Sequence, residues 1–293
     1  MKENIDTMKE LLLKELPKEK FLITNIKDVA IFRVDNPHKK KPELYRPFII
    51  LLAQGEKRIF LGNKTYIYDS KHYYVQSIPL PIECETIVEK DKPMLGVAIR
   101  IDPQMISEIL FEINSSVPTN KKIYNSLYDA EITDDILEAT NRLLKTLDSE
   151  NDSKILGPIY LKEILYKILS GDNGEILREL VINNRGFFQI AKIINKIHED
   201  YSQSFDIQEL AKEAGMSSTA FHTAFKAMTN TSPLQYIKNI RLHKAKELIK
   251  NTGEKANIAA RLVGYESSSQ FSREYKRCFG VSPTTDKQTY TTN

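Results

Sequence analysis

Between residues 211 and 283 the chain repeats itself, and this repeat limits the fold more than any other feature. Phe221-His222-Thr223-Ala224-Phe225-Lys226 is matched by Phe271-Ser272-Arg273-Glu274-Tyr275-Lys276 at an offset of 50 residues. A breaker follows each copy, Asn230-Thr231-Ser232-Pro233 and then Gly280-Val281-Ser282-Pro283, at the same offset. Upstream, Ala211 and Gly215 match Ala260 and Gly264 at an offset of 49, so the second turn is one residue longer. Self-similarity at such a period marks a repeated supersecondary unit.

Each copy reads as helix, tight turn, helix. Asp206 is expected to N-cap the first helix, with Glu209 at the reciprocal capping-box position. Leu210, Ala211 and Ala214 give that helix an inward face, and Gly215 stands where the chain must leave it, a position favouring positive φ. Ser217 or Ser218 caps the next helix, which buries Phe221, Phe225 and Met228 at helical spacing. Asn230 and Gly280, the residue types that best tolerate a left-handed cap, end the two equivalent helices. Between the copies, Ser232-Pro233 pairs a cap with proline at the first helical position. It opens a helix to about Lys250 with Ile237, Ile240, Ala245, Leu248 and Ile249 as apolar positions. A further helix around Phe187 to Glu199 turns Ile190, Ile193, Ile194 and Ile197 inward.

The outer face of the second helix is polar in both copies. In the first it carries Ser218, Thr219, His222, Thr223 and Lys226, and in the second Ser268, Ser269, Gln270, Ser272, Arg273 and Lys276. Short hydrogen-bonding side chains with one or two basic residues suit the major groove of double-stranded DNA. Arg273 can grip a guanine edge with two prongs, while Lys226 and Lys276, one turn further along, suit phosphates. Glu274 is expected to point elsewhere. A connecting helix of about 18 residues spans ~27 Å. With the flanking helix widths added, the two outer faces lie about one DNA turn, ~34 Å, apart.

Composition supports a division of labour. The 293-residue chain has a formal net charge of +3, with 28% charged and 41% hydrophobic residues. Residues 188–293 hold 15 Lys+Arg against 10 Asp+Glu, and residues 1–187 hold 27 against 29, so a basic third follows a slightly acidic body. That asymmetry fits a nucleic-acid footprint. Cys84 and Cys278 are the sole cysteines, which excludes a disulfide scaffold and a four-cysteine zinc module. The longest apolar run, Phe48 to Ala53, is far short of a membrane span, and Met1–Leu16 carries charges throughout, unlike a secretory signal. A cytoplasmic location is expected.

The first half reads as β structure followed by helices. Phe48–Ala53, Lys57–Leu61, Lys64–Tyr68, Tyr73–Ile78, Glu83–Glu89 and Met94–Ile101 are short β-branched or aromatic runs, and Gly62-Asn63 marks a hairpin. Their spacing suggests a sandwich or barrel. From Pro103 the pattern turns helical. Thr133 caps a stripe of Ile136, Leu137, Leu143, Leu144 and Leu147, and Ile155, Leu156, Ile159, Ile164, Leu165, Ile168 and Leu169 form another before Gly171. The first stripe suits either a twin in a dimer or the barrel of its own chain, and the same holds for Met8, Leu11, Leu12 and Leu16. The fold class expected is α+β, with two domains, 1–185 and 186–293. A hinge is expected near Gly171–Gly174 or Asn183–Gly186.

Residues 188–283 resemble the DNA-binding domain of the AraC/XylS family of bacterial transcription regulators. The resemblance rests on Leu210-Ala211 with Gly215-Met216-Ser217, Arg241-Leu242 with Ala245, and Val263-Gly264-Tyr265. It continues through Ser269-Gln270-Phe271-Ser272-Arg273, Tyr275-Lys276-Arg277 and Phe279-Gly280-Val281-Ser282-Pro283. It implies a seven-helix domain with two helix-turn-helix units joined by a rigid helix. Thr284-Thr285-Asp286 departs from the aromatic-Arg pair usual there, which implies a short or frayed last helix. Pro42-Glu43-Leu44-Tyr45-Arg46-Pro47, Gln54-Gly55-Glu56-Lys57, Gly62, Tyr68 and Ile78-Pro79-Leu80-Pro81 are similar to the N-terminal half of one subgroup. There the resemblance implies a cupin-like β-barrel with trailing helices.

Such a barrel can be a metalloenzyme, a small-molecule sensor or a dimerisation scaffold. Cupin enzymes hold a metal with clustered histidines and a carboxylate. The first half has only His38 and His72, and His38 reads as a surface residue in a basic loop, Pro37-His38-Lys39-Lys40-Lys41. No metal, no cofactor and no catalytic residue is expected, and no nucleophile elbow or phosphate-binding glycine loop occurs. Arg46, Phe48, Tyr66, Tyr74 and Arg100 are the candidate lining of a sensor site for a small polar or acidic effector, with tyrosines filling a packed core as the equal alternative. The expected function is sequence-specific transcription regulation, not enzymatic catalysis. The partners expected are double-stranded DNA, a small-molecule effector, a second copy of the chain and RNA polymerase.

Overall fold

The computed structural model describes residues 1–62, 64–113, 126–171, 174–179 and 187–288. Helix α1 (Lys2–Glu15) leads into nine strands: β1 (Lys20–Ile23), β2 (Val29–Val34), β3 (His38–Tyr45), β4 (Phe48–Gln54), β5 (Glu56–Leu61), β6 (Lys64–Tyr68), β7 (His72–Gln76), β8 (Leu80–Ile87) and β9 (Met94–Arg100). Helix α2 (Pro103–Glu112), strand β10 (Leu127–Glu131) and helices α3 (Asp134–Lys145), α4 (Glu150–Ile155), α5 (Gly157–Ser170) and α6 (Glu175–Glu179) follow. Seven more helices complete the described chain: α7 (Phe187–Glu199), α8 (Ile207–Glu213), α9 (Ser218–Thr229), α10 (Pro233–Asn251), α11 (Ala256–Leu262), α12 (Ser268–Phe279) and α13 (Pro283–Gln288).

The strands form a six-stranded sheet of order β1-β2-β9-β4-β7-β10 and a four-stranded sheet of order β3-β8-β5-β6. In the larger sheet β4 lies between β9 and β7, with Ile49 opposite both Ile99 and Val75. Ile49 to Ala53 are all buried, so this central strand has no solvent face and reads as one apolar run. In the smaller sheet β5 and β6 pair from Leu61↔Lys64 outward. The expected hairpin turn includes Asn63, which lies outside the described residues.

Four strands go beyond the sequence reading, and β3 corrects it. His38-Lys39-Lys40-Lys41, expected as a loop, belongs to a strand at the edge of its sheet. Lysines and a proline are what an edge strand tolerates, because its outer backbone groups face solvent.

The helices after β10 also sharpen the reading. Thr133 caps α3 as expected, accepting a hydrogen bond from the Ile136 amide. Ile136, Leu137, Leu143 and Leu144 are buried between α1 and α5 of the same chain, and Met8, Leu12 and Leu16 are fully buried as well. Both stripes are used within the chain: that of α3 packs on α1 and α5, and α1 in turn lies against β4, β9 and β2. The stripe from Ile155 to Leu169 is not continuous. Gly157-Pro158 interrupts it, since proline suits only the first turn of a helix. Ile164, Leu165, Ile168 and Leu169 are buried, whereas Ile155 and Ile159 are exposed.

The chain clusters into two compact units: Met1–Lys40, Arg46–Ser77 and Cys84–Phe188 in one, Lys41–Tyr45, Ile78–Glu83 and Gln189–Asn293 in the other. The boundary expected near 185 and the hinge segment Asn183–Gly186 lie outside the described residues, as do positions 172 and 173 of the alternative hinge. Inside the second unit, the buried Tyr236 hydroxyl donates to the Pro79 carbonyl at 2.7 Å.

Candidate nucleic-acid interface

The first helix-turn-helix is built largely as the sequence dictates. Asp206 caps α8 by accepting from the Gln208 and Glu209 amides at 2.7 and 3.4 Å. The reciprocal capping-box bond is replaced: the Glu209 carboxylate accepts from Lys212 at 2.6 Å instead. Gly215 turns the chain with φ +66°, Ser217 caps α9 through the Ala220 amide, and Asn230 ends α9 in the left-handed region at φ 57°. Leu210, Ala211, Ala214, Phe221, Phe225 and Met228 are all buried.

The second copy keeps the plan and changes the fittings. Helix α11 starts after Lys255, whose side chain makes no cap. Gly264 turns at φ +84°, Ser267 caps α12, and Gly280 ends it at φ 77°. Phe271 and Tyr275 fill the positions of Phe221 and Phe225 and are fully buried with Val263, Ala259 and Ala260. Beyond the Ser282-Pro283 breaker, α13 is described from Pro283 to Gln288, and the residues that follow lie outside the described ones. Asp286 explains how it holds: the buried carboxylate accepts from the Tyr275 hydroxyl at 2.7 Å and pairs with Lys250 at 3.1 Å.

Helix α10 is the shared strut. Its 19 residues span ~28 Å. Toward the first copy, Tyr236 meets Phe225 edge-on at 5.4 Å. Toward the second, His243 meets Phe279 edge-on at 5.1 Å. Burial, with Lys246 close by, drives the His243 imidazole down to about 4, so it sits neutral in the core. Arg241 ties the copies together. Its guanidinium donates to the Tyr201 and Gln203 carbonyls (2.8 and 2.7 Å) ahead of α8 and to the Gly264 carbonyl (3.0 Å) in the second turn.

The residues singled out for DNA fall on two equivalent faces. Ser218, Thr219, His222, Thr223 and Lys226 are exposed on α9, as are Ser268, Ser269, Gln270, Arg273 and Lys276 on α12. Ser272 is half-buried and donates to the Ser268 carbonyl at 2.9 Å, and Thr223 donates to the Thr219 carbonyl at 3.0 Å. Gln270 spends part of its amide on Glu274, at 3.2 Å. Among the described residues Arg273 and Lys276 have no ion-pair partner. Glu274 is drawn inward, as expected, by Lys238 at 2.8 Å and the Tyr265 hydroxyl at 2.7 Å. Burial works against its charge, but these bonds outweigh it and hold the carboxyl below the usual range. The face is thereby cleared of negative charge.

The five candidate effector residues separate. Tyr74 is fully buried, donates to Gln76 at 2.9 Å and stacks on Tyr68 with centroids 4.8 Å apart. Burial raises the Tyr74 phenol well above its ordinary value, and the Tyr68 and Tyr66 phenols add to this. Tyr66 and Phe48 are half-buried. Arg46 is exposed, and Arg100, opposite Phe48 in the sheet, is exposed and paired with Asp28. Tyr74 thus fills a packed core with Tyr68, the Tyr66 phenol is near enough to act on it, and Arg100 is held at the surface. Among the described residues no group of three His, Cys, Asp or Glu side chains is placed to hold a metal ion, and no helix is long and apolar enough to cross a membrane.

Sequence reasoning did not assign roles to Arg241, Lys238 or Asp286. Arg241 alone carried a signal, since it stood among the residues of the resemblance.

Two family models match the chain, the AraC-type transcriptional regulator N-terminus over residues 25–176 and a helix-turn-helix domain over residues 210–289. The raffinose operon transcriptional regulatory protein RafR of Pediococcus pentosaceus is 32% identical over 90 residues, 31% of this chain and 32% of that protein. The HTH-type transcriptional activator RhaR of Mannheimia succiniciproducens is 27% identical over 165 residues, 55% of this chain and 58% of that protein. The chain thus spans between a third and just over half of the length of these curated relatives. Among solved structures, ToxT from Vibrio cholerae superposes with a TM-score of 0.60 at 13% identity, over 90% of this chain and 98% of that one. Wild-type ToxT with a bound unsaturated fatty acid gives 0.57 at 12% identity, over 92% and 96% of the two chains. At these identities the likeness establishes the fold.

Proposed function

Because the chain belongs to the AraC-type transcriptional regulators, we propose that it is a sequence-specific DNA-binding regulator of transcription whose β-rich first unit senses a small molecule. One observation carries this reading: α9 and α12, in two helix-turn-helix copies joined by α10, present equivalent, exposed, acid-free polar faces. Ser218, Thr219, His222, Thr223 and Lys226 address one major groove, and Ser268, Ser269, Gln270, Ser272, Arg273 and Lys276 the next. The chain acts on DNA in the cytoplasm, performs no catalysis, and meets RNA polymerase at the promoter. The domains are 1–185 and 186–293.

The effector class is a small acid. The fatty acid in ToxT, which shares the fold, supports this. An effector acts only through its different affinity for DNA-competent and incompetent arrangements. A homodimer is supported by the exposed apolar face of Ile155 and Ile159 with Tyr166. Selection of duplexes from a random pool tests the DNA reading: enrichment of a defined sequence supports it, and a pool that stays random refutes it. A thermal-shift screen of small carboxylic acids, repeated with the selected duplex present, tests the effector.

A further inference from the structure

A groove of about 940 Å³ runs along α10 beside the second helix-turn-helix copy, with the segment ahead of α8 on its other wall. Ser204, Lys238, Arg241, Asn257, Arg261 and Ser268 stand on its walls, from the approach to α8, from α10, from α11 and from the first turn of α12. Ser268 is one of the exposed residues assigned above to the DNA face, so the groove opens beside that face.

Its charge is not balanced. Lys238 is matched by Glu274 at 2.8 Å. Arg241 is held by three carbonyls, which engage three of its donors and leave its positive charge in place. Arg261 is exposed and has no partner among the described residues. Two uncompensated guanidinium groups therefore face a single lining carboxylate, that of Glu266. Asn257 and Ser204, both exposed, add neutral donors. Fixed cations with amide and hydroxyl donors suit a phosphodiester, whose oxygens only accept.

The position is the one a duplex requires. Two successive major grooves on one face of DNA are separated by a minor groove, and the strands bordering it carry phosphates toward whatever joins the two recognition helices. We propose that this groove seats backbone phosphates of the DNA between the two reading heads, with Arg261 making the contact and Arg241 supplying a fixed charge behind it. The inference rests on the DNA-binding reading and adds a third, sequence-independent point of attachment. Such a contact sets the register of both helices without reading a base.

The test is fluorescence anisotropy with a duplex enriched from a random pool, over a series of salt concentrations. Arg261→Ala lowers the slope of log affinity against log salt by about one and weakens selected and scrambled duplexes alike, by about threefold to tenfold. Arg261→Lys keeps the slope. Methylphosphonate placed singly between the two enriched blocks weakens binding by the unmodified protein and leaves Arg261→Ala unaffected. An unchanged slope in Arg261→Ala, with Lys276→Ala still lowering its own, overturns the inference and leaves the DNA reading standing. Absence of salt-dependent duplex binding by the unmodified protein overturns both.

Discussion

The two helix-turn-helix copies share a plan and differ in how tightly they are held. In the first, Gly215 turns at φ +66° with nothing within 4 Å of where a Cβ would stand. In the second, Gly264 turns at φ +84° and that Cβ would lie 2.4 Å from the Ser202 carbonyl oxygen. The equivalent glycine therefore has one duty in the first copy and two in the second. It permits the backbone conformation in both, and in the second it also lets the segment ahead of α8 close against the turn. Arg241 reinforces that closure from the other side by holding the Tyr201, Gln203 and Gly264 carbonyls. A repeat that looks symmetrical in sequence is thus welded at one of its two turns, where the segment ahead of α8 is held against the second copy.

The largest effect expected follows from this difference. Gly264→Ala places a side chain in the left-handed region and into a backbone oxygen, at a cost on the order of 3 kcal/mol or more. Gly215→Ala meets only the conformational penalty, about 1–2 kcal/mol. Urea unfolding of the two variants measures both, and equal losses would remove the distinction between the turns.

Next in size is a pH effect confined to the half of α10 that faces the second copy. The folded His243 value of about 4 lies below the ordinary 6.5, so the unfolded chain takes up the proton first. Stability is complete above about pH 6.5 and falls as pH drops through the window down to about 4, below which this contribution is constant. The span corresponds to roughly 3 kcal/mol. His243→Gln flattens that part of the stability curve relative to the unmodified protein, and parallel curves would show that His243 is not its source.

On the reading face, Arg273→Ala costs about 1–3 kcal/mol at one base position and relaxes the preference there. Competition among single-base variants of a selected duplex locates the loss. A uniform loss across all positions would make Arg273 a phosphate contact. The smallest effect belongs to Lys276→Ala, which lowers the salt slope by about one unit and changes no base preference.

Much of the second unit was legible because its local signals and its packing agree. Ser217, Ser232, Asn230 and Gly280 sit where caps were expected, and the Phe221 and Phe271 helices bury the faces their spacing dictated. Failures came where a distant partner decides. Nothing near Asp286 in sequence reveals that Tyr275 and Lys250 draw it into the core. Strand β3 hides its identity because an edge strand can be lysine-rich. The effector residues were chosen by type from strands whose apolar runs conceal which face is inward, and the structure buries Tyr74 against Tyr68 while holding Arg100 to Asp28 at the surface.

Hydroxyl-radical footprinting of the protein on a selected duplex tests the central claim most directly, namely that both copies read DNA at once. The account requires two protected windows on the same face, with centres about 10–10.5 base pairs apart for each bound chain. A single window, or two windows on opposite faces, would contradict it.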